Sequence, residues 1–167
     1  MRRMGAVLGA AVLAFFVTAS VRAADSALSA QANQAFLASN ANQQGVHVRP
    51  SGLQYRIIRS GYGKSPSPTD SVEAYYKGNL INGTVFDQTE PGMPAQFVVN
   101  KLIPGWTEAL EIMREGDHWQ LVIPSNLAYG TRGAGGVIPP NQTLVFDLEL
   151  LKVTPAPKDQ GSDQSQQ

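Results

Sequence analysis

The chain contains no cysteine and only two histidines, His47 and His118, far apart in sequence. Thiol catalysis and disulfide support are therefore excluded, and the fold must be stable through its core alone. No His-Glu-x-x-His pattern occurs, and no histidine pair has local metal-ligand spacing. A serine triad would need one of these two histidines as its base, and no nucleophile elbow accompanies either. Gly63-Lys64-Ser65 ends like a phosphate-binding loop, but the upstream glycine it requires is replaced by Ile58. There is no cluster of basic residues, which argues against nucleic acid as a main partner.

Long hydrophobic runs are also scarce. The one candidate, Ala6 to Val17, is too short for a comfortable membrane span. It follows Arg2 and Arg3 and precedes Val21-Arg22-Ala23, the layout of a secretory signal peptide over residues 1–23. Lack of a cysteine after this run excludes a lipidated amino terminus. The expectation is a periplasmic or secreted protein with no membrane anchor after signal cleavage. Once the signal is removed, 10 basic residues face 13 acidic ones, a net charge of −3.

What remains divides by composition. Residues 24–47 are rich in Ala, Gln, Asn and Ser, with a weak apolar stripe through Ala27, Leu28, Ala35, Phe36 and Leu37. They read equally well as a spacer or as a short docked helix ended near Gln43-Gln44-Gly45. One domain is expected over residues 48–153, and the Pro-, Gln-, Ser- and Asp-rich residues 154–167 read as a disordered tail.

Within the domain, period-two patterning marks strands at Leu53–Ile58, Ser71–Leu80, Thr84–Asp87, Gln96–Val99, His118–Ile123 and Leu144–Val153. Asn82-Gly83 is a hairpin signal between the second and third. Only one core helix is indicated. Trp106, Ala109, Leu110 and Met113 recur at i, i+3, i+4 and i+7, and Gly116 stands where a left-handed cap is expected. One short helix among many strands needs a curved antiparallel sheet to cover it, which is an α+β class with a single small core. The asparagines of Asn82-Gly83-Thr84 and Asn141-Gln142-Thr143 are read as turn residues rather than glycosylation acceptors.

Aromatic and branched residues collect around the helix entrance: Phe86-Asp87 after the hairpin, Leu102-Ile103-Pro104-Gly105-Trp106, a glycine-rich loop with Tyr129 and Val137-Ile138-Pro139-Pro140, and Phe146 in the last strand. Taken singly, Trp106 and Phe146 would be core by default. Taken in this order, with Ala74-Tyr75-Tyr76-Lys77-Gly78, Leu127-Ala128-Tyr129-Gly130 and Leu144-Val145-Phe146-Asp147-Leu148-Glu149-Leu150, they closely resemble the FKBP-type peptidyl-prolyl cis-trans isomerases. The resemblance runs from Ser51 to Val153. The leader Pro50-Ser51-Gly52-Leu53-Gln54-Tyr55 is similar to the exported bacterial branch of macrophage infectivity potentiator type.

That resemblance implies a curved antiparallel sheet, a half-barrel, wrapped around one short α-helix. It implies an isomerase acting on X-Pro bonds of unfolded polypeptides, without metal or cofactor, and inhibited by macrolides such as FK506 and rapamycin. By match, Trp106 is the pocket floor. Tyr76, Phe86, Asp87, Tyr129 and Phe146 join it as catalytic residues, and Phe97, Leu102, Ile103, Val137 and Ile138 bind substrate. Three departures from the family pattern stand out. Ala95 replaces a second wall aromatic, Ala134 replaces a flap histidine, and no basic residue between Asp87 and Gln96 offers Asp87 a charge partner. A rival reading is a periplasmic chaperone or peptide-binding module with incidental isomerase activity. The amino-terminal segment is too short for an extended helical dimer arm, so a monomer is expected.

Overall fold

The computed structural model describes residues 27–157. The expected signal peptide and residues 158–167 of the expected tail lie outside the described residues. Seven strands make one antiparallel sheet: β1 (Val46–Val48), β2 (Gln54–Arg59), β3 (Ser71–Leu80), β4 (Val85–Gln88), β5 (Ala95–Val98), β6 (His118–Ile123) and β7 (Leu144–Thr154). The strand order is β1-β2-β6-β7-β3-β4, and β5 pairs with β3 beside β4. Among the described residues two α-helices accompany the sheet, α1 (Ala30–Ala41) and α2 (Pro104–Ile112). The class is α+β, a curved antiparallel sheet folded over α2.

The inner face is apolar in alternation. Val72 and Ala74 of β3, Leu121 and Ile123 of β6, and Leu148 and Leu150 of β7 are all buried against Ala109 and Leu110 of α2 in one core. In β7 the alternation breaks at Leu151, because Glu73 pairs with Lys152 while Ala74 pairs with Leu150. One extra residue is inserted there, a bulge, which returns Val153 to the inner face.

Helix α2 begins with Pro104, whose missing N–H costs nothing in a first turn. Gly105 follows because a β-carbon there would overlap the Ile123 side chain of β6. The helix stops at Ile112, before Gly116. Met113 is extended, at φ −81° and ψ 165°, and its N–H donates to Ala109 and Leu110 carbonyls. The Asp117 carboxylate then accepts from Arg114 N at 2.6 Å. Gly116, at φ +91°, is therefore not the helix cap expected from its spacing but part of the following Arg114–Asp117 turn.

The Asn82-Gly83 hairpin is made with a three-residue loop. Gly83 N donates to Leu80 O, Leu80 N donates to Thr84 O, and only Gly83 has a positive φ, at 86°. Asn82 supports the loop by accepting from Thr84 N at 3.0 Å. At the other end of the chain, β7 extends through Thr154, and Ala156 N donates to Asp70 Oδ1 at 3.0 Å.

The Ala/Gln-rich segment forms α1, with Ser29 as its cap: Ser29 Oγ accepts from Ala32 N at 3.1 Å. It docks through amides rather than through an apolar stripe. Asn33, its one buried residue, donates to Gln142 Oε1 at 3.2 Å and accepts from Thr143 N at 2.7 Å. Gln54 of β2, also buried, donates to Leu37 O and accepts from Asn40 Nδ2 at 2.7 Å. After Gly45, at φ +77°, the chain pairs as β1 along β2, so the sheet starts at Val46.

Candidate active site

Trp106 sits in the first turn of α2, held there by the glycine before it and only 4% exposed. Three rings stand edge-on to its indole. Tyr76 from β3 lies 5.3 Å away at 85°, Phe97 from β5 at 5.5 Å and 80°, and Phe146 from β7 at 5.2 Å and 83°. Edge-to-face pairs of this kind add to the stabilisation from burial alone. Phe86 continues the chain of rings, 5.5 Å from Phe146 at 87°.

Gly78 makes this last contact possible. A β-carbon on Gly78 would lie 2.5 Å from Phe86 and 2.8 Å from Phe146, so the two rings occupy the space a side chain would take. Strand β4 is also irregular here: Gly78 pairs with Asp87 but Asn79 pairs with Val85. Phe86 is the extra residue of a bulge. In a regular strand Phe86 and Asp87 would point to opposite faces. With the bulge, both line the same cavity.

That cavity holds about 420 Å³ of space, part of it open to solvent. Trp106 is its floor, Tyr76, Phe86, Phe97 and Phe146 are aromatic walls, Leu102 and Ile103 close one side, and Asp87 and Tyr129 stand at the rim. Of the residues named from the sequence, Val137 and Ile138 do not line it. Val137 is 57% exposed on the glycine-rich loop, and Ile138 is 5% exposed within the core cluster beneath. Their loop is pinned at its base, where Ala134 N donates to Ile138 O at 2.9 Å and Ile138 N returns a bond at 3.0 Å. Gly133, at φ +64°, permits this turn, since a β-carbon there would overlap the Ile138 carbonyl.

The rim carries one strong polar pair. Tyr76 Oη donates to Asp87 Oδ2 at 2.6 Å. Burial of the phenol, reinforced by this bond to a carboxylate, pushes the Tyr76 pKa well above the ordinary tyrosine range. Tyr76 therefore stays a neutral donor at any physiological pH, and it fills the partner role that no basic residue takes. Tyr129 is 40% exposed and lines the cavity. At the floor, the indole N–H of Trp106 is buried without a hydrogen-bond partner among the described residues. One polar residue at this edge was not singled out in the sequence. Thr89 bonds to the backbone of Tyr76, and its only local signal is a hydroxyl two residues after Asp87.

Residues 63–151 match the family model for the FKBP-type peptidyl-prolyl cis-trans isomerase. The chain belongs to the FKBP-type isomerase family. Residues 8–57 match the model described as the domain amino-terminal to FKBP-type peptidyl-prolyl isomerase. Over 123 residues the chain is 51% identical to the outer membrane protein MIP of Legionella longbeachae, covering 73% of this chain and 53% of that one. Over 119 residues it is 53% identical to the FKBP-type 22 kDa peptidyl-prolyl cis-trans isomerase of Escherichia coli K12, covering 71% and 58%. The chain thus spans little more than half the length of these curated relatives. Among solved structures, the peptidyl-prolyl cis-trans isomerase of Pseudomonas syringae superposes with a TM-score of 0.71 at 38% identity, covering 78% of this chain and 96% of that one.

Proposed function

We propose that this FKBP-type chain is a peptidyl-prolyl cis-trans isomerase that accelerates X-Pro isomerisation in unfolded, proline-containing polypeptides. The observation that carries the reading is the aromatic cavity over Trp106, with the Tyr76–Asp87 pair at its rim, in a chain that belongs to a family of such isomerases. Rotation about an amide costs about 18–20 kcal/mol because resonance is lost. The planar amide is strongly dipolar and well solvated by water, whereas the twisted amide is less dipolar. A prolyl ring seated on Trp106 leaves water behind, so the planar state loses more than the twisted state does, and the barrier falls. No acid, base or nucleophile is needed.

The rim then orients the chain. Tyr129 Oη donates to a substrate carbonyl, as does the Ile103 backbone N–H at the entrance to α2. Asp87 acts with Tyr76, whose bond fixes the position of the carboxylate. Macrolides of the FK506 and rapamycin type compete for the same cavity. Residues 1–23 direct export, in keeping with a relative named as an outer membrane protein, and the clients are exported chains delayed at slow X-Pro steps. Residues 48–153 form the isomerase domain, and the protein acts as a monomer, since the one buried side chain of α1 is spent on Gln142 and Thr143 of its own chain.

The deciding experiment is a protease-coupled assay on a proline tetrapeptide with the purified, folded chain. Catalysed exchange that FK506 abolishes is the expected result. A folded protein with no effect on the exchange rate, yet able to suppress aggregation of unfolded chains, replaces this reading with a chaperone. Light scattering that finds a dimer rejects the monomer.

A further inference from the structure

The ladder between β3 and β4 ends in a bond made by a side chain. Beyond the Lys77–Gln88 pair, the next partners in register are Tyr76 and Thr89. Thr89 N donates to Tyr76 O at 3.0 Å, as in any antiparallel pair. The return bond is different. Tyr76 N donates to Thr89 Oγ1 at 3.1 Å, and the same hydroxyl donates to Tyr76 O at 3.2 Å. A side-chain hydroxyl thus stands where a backbone carbonyl would be in a continuing strand.

The substitution lets the chain leave the sheet at this point. After Thr89 it turns through Glu90–Met93, closed by Met93 N to Glu90 O at 3.0 Å with Gly92 at φ +79°. Pairing along this edge of β3 resumes only at Ala74 with Ala95. Between the two ladders, β3 has Thr89 as its sole tie on this side at Tyr76. Tyr76 is the residue whose ring stands edge-on to Trp106 and whose hydroxyl meets Asp87, itself two residues before Thr89. One short segment therefore holds Tyr76 at both ends, by Asp87 at the phenol and by Thr89 at the backbone.

We propose that Thr89 is a positioning residue, whose hydroxyl fixes the Tyr76 backbone at the gap between the two ladders and so sets the Tyr76 phenol against Asp87 and Trp106. Its catalytic consequence rests on the isomerase reading, but its structural consequence does not. Bulk alone cannot do this work: valine has nearly the same shape but leaves the Tyr76 N–H without its acceptor.

The test compares Thr89→Val, which removes the hydroxyl, with Thr89→Ser, which keeps it. Each variant and the parent chain are labelled with [13C]tyrosine. Three quantities are read: the Tyr76 ring resonances, the onset of Tyr76 ionisation on alkaline titration, and kcat/KM on a proline tetrapeptide. In Thr89→Val the ring resonances shift, the onset moves down toward the ordinary tyrosine range, and kcat/KM falls severalfold. In Thr89→Ser all three return to the parent values. Parent-like Tyr76 resonances and kcat/KM in Thr89→Val, even at reduced stability, would make Thr89 only a strand-end tie and overturn the proposal. So would Thr89→Ser behaving like Thr89→Val. Should Thr89→Val not fold, Thr89→Ala takes its place against serine. If the parent chain shows no isomerase activity, the functional reading fails, while the Tyr76 resonances and titration still decide the positioning role.

Discussion

Replacing Asn33 by alanine should destabilise the protein more than its place in a polar, Ala-rich helix suggests. Asn33 is 4% exposed and uses its whole amide. Its Nδ2 donates to Leu28 O, Ser29 O and Gln142 Oε1, and its Oδ1 accepts from Thr143 N at 2.7 Å. Alanine leaves the Thr143 N–H with no acceptor in a residue only 1% exposed. A buried donor left unpaired costs about 1–3 kcal/mol. Loss of the Gln142 contact adds about 1 kcal/mol, since Gln142 Nε2 keeps its bonds to Leu28 O and Pro140 O. Better helix propensity returns roughly 0.5 kcal/mol. The expected net loss is about 1.5–3.5 kcal/mol, read as a lower urea midpoint. Asn33→Asp should be at least as damaging, because a carboxylate would face three oxygen acceptors. Deleting residues 1–47 removes the same bonds together with Val46 and His47 of β1, and should cost at least as much. A change within the range of ordinary surface substitutions for Asn33→Ala, about ±0.5 kcal/mol, would refute the idea that α1 belongs to the folded unit.

Gly78→Ala should force Phe86 and Phe146 apart, altering the near-ultraviolet circular dichroism, lowering peptide turnover and costing about 1–3 kcal/mol by overpacking; an unchanged aromatic spectrum would count against the ring packing described above. Tyr129→Phe keeps the ring and removes the donor, so affinity for a carbonyl-bearing macrolide should drop roughly three- to tenfold with stability unchanged, checked by inhibitor titration beside calorimetry. Asp70 accepts backbone N–H bonds from Ser67 and Ala156, which hold its carboxyl below the ordinary aspartate range. A depressed folded pKa gives stability that is present above the unfolded value and is lost as pH falls through the folded one. Asp70→Asn should therefore be less stable than the parent at neutral pH, with the gap closing below about pH 4 in acid denaturation curves; a gap constant with pH would remove the carboxylate from the account.

How much of this could be read in advance follows from the range over which each signal acts. The strands around Val72, Leu121 and Leu148 and the helix around Trp106, Ala109 and Leu110 were legible because side-chain direction repeats every two or 3.6 residues along the backbone. The cavity residues were legible because their order along the chain matches a family pattern, not because any local rule marks a phenylalanine as a wall. Helix α1 was legible only as one of two alternatives. Its docking uses Asn33 and Gln54, and an apolar stripe is the signal that sequence periodicity detects. Gly116 has the spacing of a helix cap but is not one, because spacing along the chain carries no information about Asp117, whose carboxylate accepts from Arg114 N and Gly61 N and draws the chain into a turn.

By itself, the sequence determined which residue types are available: no thiol, two separated histidines, one amphipathic helix, a set of alternating strands, and aromatic residues gathered at the helix entrance. Those choices act through local conformation and composition, so they can be read one segment at a time. Tertiary structure alone decided what meets what. The bulge at Phe86 turns two successive side chains toward one cavity, Tyr76 meets Asp87 across neighbouring strands, and Asn33 meets Thr143 across most of the chain. Each of these depends on the register between segments distant in sequence. Register is set by the packing of the whole sheet over its core, and a shift of one residue would send the strand side chains among these to the opposite face.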